Sequence, residues 1–192
     1  KKAPFPVVSA PSGLALGGGC EILLHSDAIQ AHSETYTGLV EAGVGIIPGW
    51  GGCKEIISRL RRNTKIPGGP MPFLMKAFEF IGTAKVAKSA FEAKELGFFS
   101  KDDEITMNRD RLLFDAKQKA MKLSINYIPP ESEEFSLPGK TGYSTLQLAI
   151  NDLSKKGQIT EHDKVVAGAL AEVLTGGDTD ITESLSEDDL LK

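Results

Sequence analysis

Hydrophobic and polar positions alternate in kind along the chain and predict its elements in order. Val7 to Ala10 is a β-branched, strand-like run, punctuated by Pro11-Ser12-Gly13 before the chain resumes at Leu14, which predicts a tight turn. After Gly17-Gly18-Gly19, the stretch Glu21-Ile22-Leu23-Leu24 is helix-compatible and must end before the next strand-like run, Ala28 to Ala31. The expected order is strand, glycine corner, short helix, strand. Gly43 to Gly52, rich in glycine and holding Pro48, reads as a shaped loop rather than an element, leading into a short amphipathic helix over Lys54 to Arg62. Pro67 to Pro72 reads as another loop, with Thr83 capping a helix that stops at Gly97.

The second half reads as helices. Leu113, Ala116, Ala120 and Leu123 fall on one face, as do Leu146, Ala149, Ile150 and Leu153, and again Val166, Ala169, Leu170 and Val173. A polar connection from Pro129-Pro130 to Pro138-Gly139 marks a boundary of packing units. No internal repeat is present, and the acidic ending around Glu187-Asp188-Asp189 reads as a solvated face or a frayed tail.

Composition narrows the class. A chain of 192 residues that is 41% hydrophobic can bury a core of its own, one domain with an appendage. The 22 Lys+Arg against 26 Asp+Glu leave a net charge of -4, so no global field draws a polyanion and a nucleic-acid partner is disfavoured. Cys20 and Cys53 make neither a metal nor a disulfide framework, which fits a reducing, cytoplasmic setting. The apolar run after Lys1-Lys2-Ala3-Pro4 is too short, and too broken by Pro6, Pro11 and glycines, for a signal segment or a membrane span. Lys1 stands where an initiator Met would, and a strand-like run follows at once, so a native domain is expected to continue upstream.

Candidate chemistry gathers at the glycine corner. Glycines opening a helix let a ligand approach the backbone while the first N–H groups lack intrahelical partners, so the corner can hold a resting anion or stabilise an oxyanion that forms during reaction. No Gly-Lys-Ser/Thr follows, and Gly13 with Gly17 to Gly19 lacks dinucleotide spacing, which weakens the phosphate reading. A close strand-to-helix crossing that needs small residues explains the same glycines without a ligand. Glu21, in the first turn, suits the helix dipole; Glu41, between Val40 and Ala42, stands where burial would raise a carboxylate pKa. Two carboxylates in one apolar pocket can divide proton transfer between them. His25, His32 and His162 have no metal spacing, and Cys20 reads as a small buried hydrophobe.

Two blocks carry a resemblance: Pro6 to Glu21 continued by Asp27-Ala28-Ile29-Gln30-Ala31, and Gly38 to Gly52. Together they resemble the central motif and the glutamate-plus-loop segment of the crotonase (enoyl-CoA hydratase/isomerase) superfamily. Ile81 to Phe99, with Ala93-Lys94-Glu95-Leu96-Gly97, is similar to the helix after the site. Pro67 to Pro72, Thr106 to Asp110 and Leu185 to Leu191 resemble the hydratase part of multifunctional fatty-acid oxidation proteins that also carry a 3-hydroxyacyl-CoA dehydrogenase.

The resemblance implies an α/β fold: the C-terminal part of a crotonase-type β-β-α superhelix over residues 1–100, with the glycine corner and both glutamates, then a helical region over 101–192. It implies enoyl-CoA hydration within fatty-acid β-oxidation, with the Gly18 N–H as one of two oxyanion donors and Glu21 and Glu41 as the catalytic pair. Gly17 and Gly49 would shape the substrate and water positions, and Trp50 would narrow the acyl pocket or face another domain, against the plainer reading of a packed aromatic. The expected partner is an acyl-CoA, with a homo-oligomer or docking to an upstream domain, and no membrane. No cofactor is needed for hydration; NAD would belong only to a dehydrogenase domain outside this chain. The second oxyanion donor and much of the CoA adenine site come, in the family, from an earlier segment not in this sequence, so the chain alone is expected to be weak or inactive. Other expectations are another crotonase reaction, isomerisation or thioester hydrolysis, or a non-catalytic assembly module.

Overall fold

The structure, a computed structural model, describes residues 2–62 and 68–191. Along the chain run β1 (Val8–Ser9), β2 (Leu14–Leu16), α1 (Gly18–Leu24), β3 (Ala28–His32) and β4 (Tyr36–Gly38). A 3-10 turn over Glu41–Val44 follows, then α2 (Gly52–Arg61), α3 (Pro70–Gly82), α4 (Ala90–Leu96) and β5 (Glu104–Thr106). The remainder is α5 (Leu112–Leu123), β6 (Glu134–Phe135), α6 (Gly139–Lys155), α7 (Glu161–Thr175) and β7 (Leu185–Ser186). The chain divides into two compact units, Lys1–Leu39 with Val86–Glu131 and Val40–Lys85 with Ser132–Lys192, and the polar connection after Pro130 contains one of the boundaries. Among the described residues no helix is long and apolar enough to cross a membrane.

In the first unit, β1, β3 and β5 form a parallel sheet in the order β1-β3-β5, while β2 and β4 pair in parallel beside each other. Each β-β-α turn therefore adds one strand to each sheet, with α1 as the crossover between turns. The central strand β3 is buried along its whole length, polar residues included. The Gln30 amide nitrogen donates to Thr106 Oγ1 at 2.9 Å, and Thr106 donates in turn to Asp115 Oδ2 at 2.9 Å. Asp103, 5% exposed, accepts the Ile29 N–H at 2.8 Å and the Ser100 N–H at 2.6 Å, tying the turn before β5 to the middle of the sheet.

At the edge of the same unit Asp27 accepts the Val7 N–H at 2.7 Å and the Tyr127 hydroxyl at 2.7 Å. The hydrogen bond to Asp27, with burial and the carboxylate charge behind it, pushes the Tyr127 phenol up to about 12. Of the three tyrosines, one is therefore expected to ionise near pH 12 in an alkaline absorbance titration. Asp27→Asn should bring that step down toward the ordinary tyrosine range; an unmoved step would refute the pairing.

The second unit is mainly helical. Ile56, Ile57 and Leu60 of α2, Phe73, Leu74, Ala77 and Ile81 of α3, Leu146 and Ile150 of α6, and Val166, Leu170, Ala171 and Leu174 of α7 are all buried. Thr160 and Asp163 form a capping box that fixes the start of α7, the Thr160 hydroxyl accepting the Asp163 N–H at 3.1 Å and the Asp163 carboxylate the Thr160 N–H at 2.9 Å.

Several sequence expectations shift. Pro67 lies outside the described residues, but Pro70 and Pro72 are not loop: they open α3, where the missing N–H of a first-turn proline loses no helix bond. Thr83 caps no following helix; it ends α3, its hydroxyl donating back to the Glu79 carbonyl at 2.6 Å, and Ser89 caps α4 by accepting the Glu92 N–H. Gly97 does stop α4, with φ 92°. Gly43 and Val44 belong to the 3-10 turn and Gly52 to α2, so the loop is shorter than the glycines suggest. In α5 the buried side carries Leu112 and Ala116, whereas Leu113 is 75% exposed. The faces of α6 and α7 are buried through Leu146 and Ile150 and through Val166 and Leu170, as their spacing predicts.

Part of the polar side of α2 is withdrawn from solvent: Lys54, Glu55 and Ser58 are buried, whereas Arg61 is exposed. The acidic ending explains this. Glu187 is 5% exposed, neither a solvated face nor a frayed tail. Lys54 Nζ donates to Glu55 Oε1 at 2.7 Å and to Glu187 Oε2 at 2.9 Å, and Glu187 Oε1 accepts the Glu133 N–H at 3.1 Å. Glu133 is held by the Ser58 hydroxyl at 2.7 Å, by Arg61 at 3.0 Å and by Arg62. Burial pulls the Lys54 ammonium down, but its hydrogen bonds to Glu55 and Glu187 and their negative charge outweigh it and leave the group above its ordinary value.

Candidate active site

The glycine corner belongs to the first unit. Gly17 has φ 54° and ψ -124°, a backbone that a side chain would strain, and its N–H donates to the Gly38 carbonyl at 2.9 Å, pinning the corner to the end of β4. Its carbonyl accepts the Glu21 N–H at 3.0 Å, closing the first turn of α1. Gly18 and Gly19 supply N–H groups in that turn, ahead of any intrahelical acceptor. Gly18 is exposed, and a Cβ built on it would meet nothing within 4 Å. The space in front of the corner is thus open on this unit's own account.

Glu21 lies one turn on, 4% exposed, with Cys20, Leu23 and Leu24 also buried on α1. His25, given no chemistry from the sequence, has a structural part here: its N–H and its ring Nδ1 both reach the Glu21 carbonyl, at 3.1 and 2.8 Å, and terminate the helix. Nothing in the spacing of the histidines signals that role, because it depends on where α1 ends.

Glu41 belongs to the second unit and opens the 3-10 turn Glu41–Val44. It is partly buried. Its carbonyl accepts the Ile46 N–H at 3.2 Å, and Gly45, at φ 82°, closes the turn in the left-handed region. The loop continues through Gly49, where a Cβ would meet nothing within 4 Å, to Trp50, which is 73% exposed. Trp50 is thus not a core aromatic of this chain, and Val44 and Ile46 beside it in sequence are 76% and 58% exposed.

The predicted residues thus fall into two sets. Gly17, Gly18 and Glu21 are gathered in one helical turn of the first unit; Glu41, Gly49 and Trp50 lie on one turn and loop of the second. Among the described residues no group of three or more His, Cys, Asp or Glu is arranged to hold a metal ion.

The two corner glycines separate conformational need from ligand access, and stability measurements can show this. Gly17→Ala is expected to cost about 1–3 kcal/mol because the backbone is strained for any side chain. Gly18→Ala, with open space ahead of it, should leave the thermal midpoint near the wild-type value. Equal losses in thermal melts of the two variants would contradict this account of the corner.

Residues 1–63 match the family model described as "Enoyl-CoA hydratase/isomerase". A Bacillus subtilis protein provisionally named a 3-hydroxyacyl-CoA dehydrogenase is 46% identical over 194 residues, covering 100% of this chain and 24% of that protein. A Rickettsia prowazekii protein provisionally named a fatty acid oxidation complex trifunctional enzyme is 31% identical over 172 residues, covering 84% of this chain and 23% of that protein. Among solved structures, an enoyl-CoA hydratase from Bacillus anthracis superposes with a TM-score of 0.50 at 26% identity, over 90% of this chain and 55% of that one. The chain spans about a quarter of the length of these long relatives. With the glycine corner and the Glu21 segment inside the matched residues and stacked β-β-α turns around them, the chain belongs to the crotonase (enoyl-CoA hydratase/isomerase) superfamily.

Proposed function

We propose that this chain carries the catalytic glutamates of an enoyl-CoA hydratase that adds water reversibly to a trans-2-enoyl-CoA, giving a 3-hydroxyacyl-CoA in fatty-acid β-oxidation. The observation that carries the reading is the corner itself: an exposed Gly18 in the first turn of α1 and a buried Glu21 one turn behind it. The names of the long relatives, a dehydrogenase and a trifunctional fatty acid oxidation enzyme, support the pathway.

In the proposed reaction the thioester oxygen accepts the Gly18 N–H. Glu21 takes a proton from water as its oxygen bonds to C3 of the enoyl group, and the displaced electron pair moves onto the thioester oxygen. Glu41 then delivers a proton to C2 as the carbonyl re-forms, so that H and OH add across the double bond. Gly49 would keep the water position clear, and Trp50 would border the acyl chain. Hydration transfers no electrons, so the proposed step needs neither NAD nor a redox metal.

Of the two oxyanion donors that the resemblance implies, the one carried onto this sequence is the Gly18 N–H. Since one donor is typically worth about a hundredfold to a thousandfold in rate, a form extended upstream of Lys1 should hydrate crotonyl-CoA far faster than this chain alone. Loss of the enone absorbance is the assay. An extended form that binds acyl-CoA yet leaves the enone untouched would defeat the hydratase reading and favour isomerisation, thioester hydrolysis or an assembly role.

A further inference from the structure

We propose that His162 is a positioning residue for Glu41, acting through the Gly45–Ile46 peptide; the catalytic part of this inference rests on the hydratase reading. The carbonyl of Gly45 can only accept, so the contact of 2.9 Å with His162 Nε2 requires that nitrogen to carry a proton and donate. The same peptide plane presents its N–H, from Ile46, to the Glu41 carbonyl at 3.2 Å. One rigid peptide therefore links the imidazole on α7 to the backbone of Glu41, and each bond polarises the next.

The elements on both sides suit this linkage. The capping box of Thr160 and Asp163 fixes the first turn of α7, from which His162 extends. On the other side Gly45 is held at φ 82°, and its N–H returns to the Ala42 carbonyl at 3.1 Å. A Cβ at Gly45 would fall 2.8 Å from His162 Nε2, so the ring occupies the space that the glycine leaves open. Glycine there serves the turn and the histidine together. The contact joins residues 117 apart in sequence, and His162 is itself exposed, so packing of a core does not account for it.

The single tryptophan of the chain, Trp50, lies five residues beyond Gly45 on the same loop and reports its motion without reference to turnover. In a form extended upstream of Lys1, His162→Ala should lower the Trp50 fluorescence anisotropy and reduce kcat for hydration by roughly tenfold to a hundredfold, with KM little changed. His162→Gln, which can still donate to the Gly45 carbonyl, should recover most of both. Unchanged anisotropy in His162→Ala, or loss in both variants alongside an equal fall in thermal midpoint, would overturn the proposal. If the wild-type extended form shows no hydration, the hydratase reading fails by itself, and the anisotropy of His162→Ala still decides whether the histidine holds this turn.

Discussion

Glu21→Gln and Glu41→Gln, made singly in a form extended upstream of Lys1, are each expected to lower kcat for enoyl-CoA hydration by about a hundredfold to ten-thousandfold. Gln keeps the shape of the side chain and its capacity to accept a hydrogen bond, but it can neither take up a proton from water nor release one to carbon. The two losses should be comparable, because addition of water needs a proton removed at oxygen and a proton delivered at C2. Binding of a saturated acyl-CoA should survive in both variants, since neither carboxylate contributes to holding the thioester in the proposed scheme. Both activity and affinity are read in one set of steady-state and equilibrium measurements. A variant pair in which one glutamate is dispensable would point instead to a one-base reaction such as double-bond isomerisation.

The corner was legible from sequence because its physical requirement is local. A strand that must turn into a helix within a few residues needs glycine where φ is positive, and Gly17 at φ 54° meets that need. The faces of α6 and α7 were legible for a similar reason, since their period of burial is carried by residues a turn apart, Leu146 with Ile150 and Val166 with Leu170. The start of α3 was obscured because Pro70 and Pro72, read as breakers, are equally compatible with a helix's first turn. On α5 the face through Ala116, Ala120 and Leu123 follows its spacing, but Leu112 rather than Leu113 begins it, because the two are adjacent and periodicity does not rank them.

What depends on distant partners left no local trace. Glu187 reads as part of an acidic end until Lys54, 133 residues earlier, is seen to donate to it. Similarly, Gly45 looks like one more loop glycine until the imidazole of His162 is placed against it. The candidate site divides along the same line. Gly17, Gly18 and Glu21 are bound by a single turn of α1, whereas the Glu41 turn depends on an element from the far end of its unit.

Lys54→Met is expected to destabilise the second unit by about 3–5 kcal/mol, because it removes a buried cation that donates to two buried carboxylates. Lys54, Glu55 and Glu187 are 3%, 2% and 5% exposed, so solvent cannot take over the pairing. In a chain of 192 residues each kcal/mol moves the midpoint by roughly 2–4 °C, so the fall should be plain in a thermal melt. Removing the cation and both carboxylates together, as Lys54→Met, Glu55→Gln and Glu187→Gln, should cost less than the single change, since the negative charge that Lys54 offsets is removed with it. The pH dependence has a definite sign. Because the folded Lys54 ammonium lies above its ordinary value of 10.5, the unfolded chain loses this proton first as pH rises. Its contribution is therefore fully present below about pH 10 and is lost as pH climbs through the raised folded value. The stability gap between wild type and Lys54→Met, followed by denaturant melts from neutral to strongly alkaline pH, should stay constant and then narrow. A gap that widened with pH, or a triple variant less stable than the single one, would contradict the view that Lys54 is there to neutralise Glu55 and Glu187.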